Sequence, residues 1–320
     1  MGLSEFELIE QFFLRPGCVR EDVLLGVGDD CALLRIPAGE DMAVTVDTLV
    51  ETVHFHPGTD PEKLGHKSLA VNLSDLAAMG AVPAWVTLAL TLPVSDSAWL
   101  AAFMRGFSAL ANRHRVQLIG GDTTRGPLTI SVQAHGFVPP GKALTRHSAR
   151  AGDRIGVTGT LGDAGLALLQ MAGGGVPGRW LRERLETPMP RLASGLALRD
   201  LASAAIDISD GLLADLGHIC RRSGAGARVE LPKLPLSQEV EMHVKKSGDW
   251  SLPLTAGDDY ELCFTVPPEF CARIEERLDR IEGGFAWIGV IEKDEGMRCF
   301  AADGRQIETS QSGYQHFQSA

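Results

Sequence analysis

The stretch at residues 71–80, VNLSDLAAMG, constrains the fold of this chain more than any other. It ends a run from Lys63 that is rich in good helix formers, with apolar residues three and four positions apart. Gly80 and Pro83 supply the stop signals, so the run predicts one helix. Most side chains around Asp75 are small or apolar, and the helix is therefore predicted to be largely buried. A buried carboxylate must be hydrogen-bonded, paired with a cation or bound to a metal, because an isolated one is too costly to desolvate.

Polar side chains form a single stripe along this helix. Ser68, Asn72 and Asp75 recur at helical spacing and so share one face. Taken alone, Asp75 is more simply explained as a hydrogen-bonding partner of a neighbouring loop. The number of similar aspartates elsewhere in the chain decides between that explanation and a metal site.

The first half of the chain supplies three such aspartates. Asp30 lies in the glycine turn at 26–30, which joins two short strands predicted at 23–25 and 31–34. A simple hairpin explains this turn, and a bound cation is the competing explanation for its adjacent carboxylates. The alternation over 42–48 predicts a strand with Thr45 and Asp47 on one face. The strand predicted at 116–119 is followed by the sequence GGDTTRG, which we interpret as a glycine turn that bears Asp122 and approaches a phosphate.

The second half repeats the pattern. Residues 205–211, AIDISDG, predict a strand that leads into a helix, with Ser209 or Asp210 as the N-cap. Helix capping explains only one of the three polar residues Asp207, Ser209 and Asp210 in this segment. Asp207 and Ser209 fall on the same face of the predicted strand. A further glycine-aspartate-aspartate sequence at 257–259 precedes another predicted strand.

Six aspartates lie at predicted strand ends, in glycine turns or within the one buried helix: Asp30, Asp47, Asp75, Asp122, Asp207 and Asp210. If these carboxylates converge, they repel each other, and divalent cations relieve such repulsion. Oxygen ligands without cysteine or histidine favour Mg²⁺ over zinc. An acidic site of this kind binds ATP through bridging ions, so the residues alone predict an Mg²⁺-dependent enzyme that uses ATP.

Composition excludes several other classes. A net charge of −11 with no basic stretch argues against a nucleic-acid or anionic-membrane partner. No apolar run approaches the ~20 residues that span a membrane, and the acidic start lacks a secretory signal. The six cysteines form no C-x-x-C pair, and we interpret them as reduced core residues of a cytoplasmic protein.

Six segments resemble, in the same order, those of the bacterial thiamine-monophosphate kinase family. They are GVGDDCA at 26, VDTLV at 46, VNLSDLAAMG at 71, IGGDTTRG at 119, AIDISDGL at 205 and GDDYEL at 257. This family is related to aminoimidazole-ribonucleotide synthetase, selenophosphate synthetase and a hydrogenase-maturation enzyme. The resemblance implies an α+β protein of two αβ domains, at 1–140 and 141–320. It also implies that the N-terminal sheet forms a homodimer and that the C-terminal domain covers the active site.

The resemblance further implies transfer of the ATP γ-phosphate to thiamine monophosphate, the last step of thiamine diphosphate synthesis. It assigns several Mg²⁺ ions to Asp30, Thr45, the carbonyl of Val46, Asp47, Asp75, Asp122, Asp207 and Asp210. It assigns nucleotide contacts to Gly121, Asp122, Arg146 and Ser209, and contacts with thiamine monophosphate to His54, Asp258 and Tyr314. The family often has glutamate where this chain has Asp258, which is one methylene shorter.

Two alternatives stay open at this stage. A sister enzyme of the same superfamily would activate an amide, selenide or carbamoyl group. Against this, Cys18 lacks the glycine-lysine context of the selenophosphate enzyme, and the chain does not end in the cysteine of the hydrogenase-maturation enzyme. The second alternative is a cation-binding module without catalysis. This alternative gives no role to Arg146 or to the glycine-rich segments.

Overall fold

The computed structural model describes residues 5–14, 17–308 and 313–314 of the chain. The chain divides into two compact units. The first comprises Met1–Leu76 and Ala81–Gly141, and the second comprises Ala77–Gly80 and Lys142–Ala320. Each unit combines helices with its own sheet, so the predicted α+β class of two αβ domains is confirmed.

The first unit is built on a four-stranded sheet in the order β3-β6-β4-β5. Antiparallel pairs join β3 to β6 and β6 to β4, whereas β4 and β5 are parallel. A small antiparallel hairpin, β1–β2, precedes the sheet as the sequence predicted. The bounds are β1 Val23–Leu25, β2 Leu33–Leu34, β3 Asp41–Val50, β4 Val82–Leu92, β5 Gln117–Arg125 and β6 Thr129–Val138.

Two long helices of the first unit, α2 (Pro61–Ala78) and α3 (Ser97–Arg113), approach each other very closely. A Cβ on Gly65 would lie 2.0 Å from the carbonyl oxygen of Phe103, and one on Gly106 would lie 1.7 Å from that of Glu62. The absence of side chains at both glycines therefore allows direct backbone contact. The helix predicted from Lys63 up to the stop signal at Gly80 is confirmed as α2, which begins at Pro61 and ends at Ala78.

Two sequence predictions for the first unit are wrong in detail. The amphipathic run at 5–14 predicts one short helix, but the structure has α1 (Glu5–Leu8) followed by a π-helical turn at Ile9–Phe13. The glycine turn predicted at 120–126 is mostly strand, because β5 continues to Arg125 beside β4. A Cβ on Gly121 would lie 1.9 Å from the carbonyl oxygen of Leu88, so this glycine serves close strand approach instead of chain reversal.

The second unit is built on a seven-stranded sheet in the order β13-β12-β9-β11-β7-β10-β8. Only the β12–β9 pair within this sheet is parallel. Its strands are β7 Arg154–Thr158, β8 Ala204–Asp207, β9 Gly226–Glu230, β10 Leu262–Val266, β11 Phe285–Glu292, β12 Gly296–Phe300 and β13 Gln306–Ile307. The central strands consist largely of buried apolar residues, which is typical of a sheet covered on both faces.

The helices of the second unit are α4 Asp163–Ala172, α5 Arg179–Glu186, α6 Leu192–Leu198, α7 Leu212–Ser223, α8 Gln238–Ser247, α9 Ser251–Thr255 and α10 Cys271–Leu278. Short 3₁₀ turns lie at Leu231–Lys233 and Pro268–Phe270. The main core joins α7 to the sheet through side chains such as Leu213, Leu216 and Ile206, which are almost fully buried. This core fixes the start of α7 beside the end of β8.

All six cysteines lie among the described residues, and none of them forms a disulfide. Cys220, Cys263 and Cys299 are buried, as predicted for core residues. The same prediction is wrong for Cys31, which is exposed in the β1–β2 hairpin because that hairpin is too short to have a core of its own. Within residues 5–14, 17–308 and 313–314, no helix has the length and apolar character needed to span a membrane.

Candidate active site

Thr45, Asp47 and Asp75 lie together in the first unit. Alternation along β3 places Thr45 and Asp47 on one face of the sheet, and α2 supplies Asp75. The Thr45 hydroxyl donates a hydrogen bond to the Asp75 carboxylate. Burial, together with the negative charge of Asp75, raises the pKa of Asp47 to about 7. The structure thus pairs two of the predicted metal-binding carboxylates.

This pair suits a magnesium ion. Two carboxylates with an adjacent hydroxyl form an oxygen-only donor set, and their mutual repulsion is what a cation would relieve. Among the residues that the structure describes, no group of three or more His, Cys, Asp or Glu side chains is arranged to hold a metal. Since Mg²⁺ is usually held by one or two carboxylates together with phosphates and water, the Asp47–Asp75 pair fits it.

The other polar residues of the predicted α2 stripe have a structural role. Ser68 donates to the carbonyl of Gly65 at 3.0 Å, and Asn72 donates to the carbonyl of Ser68 at 3.1 Å. Both side chains are buried and bond within their own helix. Of the stripe, Asp75 alone is shown in contact with another predicted site residue.

The remaining site residues of the first unit lie at strand ends or edges. Asp30 is exposed in the hairpin turn, where its N–H donates to the Asp29 carboxylate at 2.9 Å. The imidazole Nδ1 of His54 accepts the N–H of Val50 at 3.0 Å, which anchors this histidine just after β3. Val46 alternates with Thr45 and Asp47, and its side chain is therefore on the opposite face of the strand, exposed to 62%.

A small cavity of about 110 Å³ adjoins Gly121 and Asp122. Its other walls are mostly apolar and come from the π-helical turn, the hairpin and strands β4 and β5. These walls are formed by Ile9, Phe13, Val27, Leu88, Leu118, Gly120 and Thr123. Its volume is below the roughly 300–1,000 Å³ of a typical ligand pocket, so the recess offers an apolar wall and not a complete site for a small molecule.

Four predicted site residues of the second unit meet at the turn 208–211, which joins β8 to α7. The carbonyl of Ser209 accepts the N–H of Asp258 at 2.9 Å. The carbonyl of Asp210 accepts the N–H of Tyr314 at 3.2 Å. Asp207 is buried at the end of β8, just before this turn. The sequence has an aromatic cluster at 313–317, of which only Gly313 and Tyr314 belong to the described residues.

The capping prediction for α7 is wrong. The N-cap is Gly211, which has no side chain, and neither Ser209 nor Asp210 caps the helix. Instead, Asp215 in the first turn of α7 accepts the backbone N–H groups of Ser209 at 3.1 Å and Asp210 at 3.0 Å. Sequence reasoning missed Asp215, although a carboxylate flanked by leucines in a buried helix is itself a signal.

Burial is the main cause of the unusual protonation of Asp215. It raises the pKa of this carboxyl to about 7, and the nearby charge of Asp210 acts in the same direction. The two backbone hydrogen bonds and the positive charge of Arg146 oppose the rise. Burial and the positive charges of Arg221 and Arg146 lower the pKa of His218, so the Arg146 guanidinium lies near the α7 face that presents Asp215 and His218.

Two buried carboxylates, Asp259 and Glu261, anchor the chain just after Asp258. Glu261 is fully buried and accepts hydrogen bonds from Arg184 at 2.8 Å and Arg191 at 2.6 Å. Asp259 is also buried and accepts the N–H of Gly162 at 3.0 Å. Asp258 itself has a φ of +68°, a left-handed conformation that non-glycine residues seldom adopt. These bonds hold the residues that follow Asp258, and the N–H of Asp258 itself donates to the carbonyl of Ser209.

Matches to known protein families and sequences cover nearly the whole chain. Residues 28–138 match the N-terminal domain, and residues 150–301 the C-terminal domain, of AIR synthase related proteins. The thiamine-monophosphate kinase of Escherichia coli K12 is 49% identical over 322 residues, with 99% of each chain covered.

Solved structures agree in fold. The crystal structure of thiamine-monophosphate kinase from Stenotrophomonas maltophilia K279a is 46% identical, with a TM-score of 0.87 over 96% of this chain and 99% of that one. A structure of AaThiL complexed with AMPPCP and TMP is 33% identical, with a TM-score of 0.75 over 91% and 92% of the two chains.

Proposed function

The chain belongs to the thiamine-monophosphate kinase family, and we propose that it transfers the γ-phosphate of ATP to thiamine monophosphate, giving ADP and thiamine diphosphate. Identity of 49% over nearly the full length of the Escherichia coli enzyme is the observation on which this proposal mainly rests. The paired carboxylates of Asp47 and Asp75 supply the independent chemical argument, because phosphoryl transfer from ATP needs a site that accepts cations.

The metal ligands that we propose are Asp30, Thr45, the carbonyl of Val46, Asp47, Asp75, Asp122, Asp207 and Asp210. Support is strongest for Thr45, Asp47 and Asp75, which contact or electrostatically influence one another within the first unit. Mg²⁺ bound by such ligands would neutralise charge on the phosphates of ATP. Without a cation, Asp47 retains its proton up to about pH 7 and is a poor ligand below it.

We assign the nucleotide to Gly121, Asp122, Arg146 and Ser209. The cavity beside Gly121 and Asp122 offers an apolar wall for the base. Arg146 provides a guanidinium for phosphate oxygens, a role for which its planar donor geometry is suited. We assign thiamine monophosphate to His54, Asp258 and Tyr314, and the Tyr260 hydroxyl, which donates to the Asp258 carboxylate at 2.9 Å, would hold that carboxylate in place.

The chain need not supply an acid, a base or a nucleophile. The attacking group is a phosphate oxygen, which is already ionised at neutral pH, so no proton has to be removed first. Positioning of the two substrates and neutralisation of their charge are sufficient for a single in-line displacement. The Nδ1 atom of His54 already accepts a backbone N–H, which favours substrate binding over proton transfer as the role of this residue.

A homodimer through the sheet of the first unit is part of the proposal. The apolar strands that the sequence predicts at 85–92 and 128–138 would place this surface on β4 and β6, but side chains such as Leu90 and Ile130 there are buried within the unit. Strand β3 supplies an exposed apolar row instead, at Met42 (43% exposed), Val44 (49%) and Val46 (62%). Such a row at a sheet surface is typical of an interface between copies.

We propose the cytoplasm as the location, because the six cysteines, all in the described part of the chain, form no disulfide, which suits a reducing compartment.

The function is tested by measuring ATP consumption by the purified protein with Mg²⁺, in the presence and absence of thiamine monophosphate. We expect ADP and thiamine diphosphate to form in equal amounts, and little ADP without the acceptor. Equal ATP turnover with and without thiamine monophosphate would contradict the proposal.

A further inference from the structure

The turn at residues 208–211 is the point where three segments of the second unit are tied together. The carbonyl of Ser209 accepts the N–H of Asp258, and the carbonyl of Asp210 accepts the N–H of Tyr314. Each of these four residues is assigned above to the nucleotide, the metal or the substrate. Any rotation of the peptide groups in this turn would therefore displace several site residues together.

The turn cannot be stabilised by an ordinary N-cap side chain. Its last residue, Gly211, has a φ of +109°. A Cβ at that position would lie only 2.7 Å from the carbonyl carbon of Thr255. An N-cap side chain would in any case accept N–H groups within α7, so the N–H groups of Ser209 and Asp210, which precede the helix, need a different acceptor.

Asp215 supplies this acceptor from within the helix. One carboxylate oxygen, Oδ2, accepts the N–H of Ser209 at 3.1 Å and that of Asp210 at 3.0 Å. The residue is 3% exposed, and its neighbours Leu212 and Leu216 are fully buried. Burying a carboxylate in such surroundings costs free energy, so its presence here needs a compensating role.

We propose that Asp215 is a positioning residue for phosphoryl transfer. It fixes the peptide groups of Ser209 and Asp210, and through them the backbone of Asp258 and Tyr314, without contacting either substrate. The inference rests on the proposed function for its kinetic consequence, but its structural part stands on the two hydrogen bonds alone. Positioning matters at this scale, since a misplacement of about 1 Å can cost about 10²-fold in rate.

Two substitutions and one matched control test this role. Asp215→Ala removes the acceptor, whereas Asp215→Asn keeps a carbonyl oxygen of the same reach. Asp96→Ala is the control, because Asp96 also accepts two backbone N–H groups at a helix start, those of Ala98 at 2.9 Å and Trp99 at 3.1 Å. Asp96 caps α3 in the first unit and is not assigned to the site.

The first measurement is kcat and KM for each variant, normalised to the folded fraction. We expect Asp215→Ala to lower kcat about 10²-fold with a smaller change in KM. Asp215→Asn should stay within about tenfold of the wild-type kcat, by the same positioning argument. The Asp96→Ala control should lower the melting temperature and leave both kinetic constants unchanged, since a purely structural cap affects stability alone.

The second measurement is hydrogen exchange of the amides of Ser209 and Asp210, which does not depend on activity. We expect protection in the wild type and in Asp215→Asn, and rapid exchange in Asp215→Ala. If Asp215→Ala loses this protection but keeps the wild-type kcat, the positioning role is refuted. If Asp215→Asn keeps the protection but is as slow as Asp215→Ala, the charge acts directly, and the inference is also overturned.

Failure of the proposed function would be distinguishable from failure of this inference. A wild-type protein that forms no thiamine diphosphate would refute the function, while the exchange rates would still report on the turn. Rapid exchange of both amides in the wild-type protein would refute the inference itself.

Discussion

At the scale of single residues, the Asp47–Asp75 pair connects the sequence to the chemistry. Two carboxylates are held near each other because β3 and α2 are fixed by the core of the first unit, not because the pair is favourable. The cost is visible in the pKa of Asp47, which is raised to about 7 by burial and by Asp75. A site that is unfavourable without a cation is prepared to bind one.

Asp75→Asn should separate the metal role of Asp75 from a structural one. The amide has nearly the same shape and removes the repulsion with Asp47, so we expect the metal-free protein to gain about 1 kcal/mol in unfolding free energy. We also expect kcat with Mg²⁺ to fall about 10²-fold, because a ligand loses its charge. Thermal melting and steady-state kinetics measure the two effects.

Asp41→Asn is the matched control, since Asp41 begins β3 in an exposed position outside the proposed site. It should change neither stability nor kcat. An Asp75→Asn protein that melts higher and still works normally would show that Asp75 is structural.

Element by element, local patterning predicted the fold best where one periodicity dominated. The alternating strand β3 and the buried helix α2 were recognised because their side chains repeat at two and at three to four positions. The continuation of β5 through Gly120 and Gly121 was not predicted, because two glycines favour a turn unless a neighbouring strand pairs with them. Whether this segment is a turn or a strand depends on its pairing with β4.

The candidate site shows the same division. The sequence identified the carboxylates at strand ends, since their residue types and positions are local information. It could not identify the pairing of Thr45 with Asp75, which are 30 positions apart and joined only by packing. For Asp215 the neighbouring leucines indicate burial, but its partners could not be predicted, because they are backbone groups that leave no mark in the side-chain pattern.

The α2–α3 contact provides a prediction at the scale of elements. Gly106→Ala would place a Cβ 1.7 Å from the carbonyl oxygen of Glu62, so the two helices must separate. We expect a loss of about 3 kcal/mol in unfolding free energy, measured by urea denaturation, because overpacking against backbone has no flexible side chain to yield. Gly178→Ala is the control, as its Cβ would meet no described atom within 4 Å. Equal stability of Gly106→Ala and wild type would contradict the close crossing.

For the whole molecule, the exposed row on β3 predicts the assembly. We expect light scattering to give a dimer at micromolar concentration for the wild type and a monomer for Val44→Glu, since a carboxylate buried there would be unpaired. Val176→Glu is the control, because Val176 is 83% exposed in the second unit and its substitution should leave the dimer intact. A monomeric wild type, or a dimeric Val44→Glu protein, would refute the proposed interface.

Direct transfer between ATP and thiamine monophosphate is the central claim, and stereochemistry tests it most directly. ATP made chiral at its γ-phosphorus is allowed to react, and the configuration of the terminal phosphate of thiamine diphosphate is then determined. One in-line displacement inverts the configuration at phosphorus, and two displacements restore it. We predict inversion, with the labelled group recovered in thiamine diphosphate. Retention would show a covalent phosphoenzyme, and recovery of the label only as inorganic phosphate would show that this chain does not phosphorylate thiamine monophosphate.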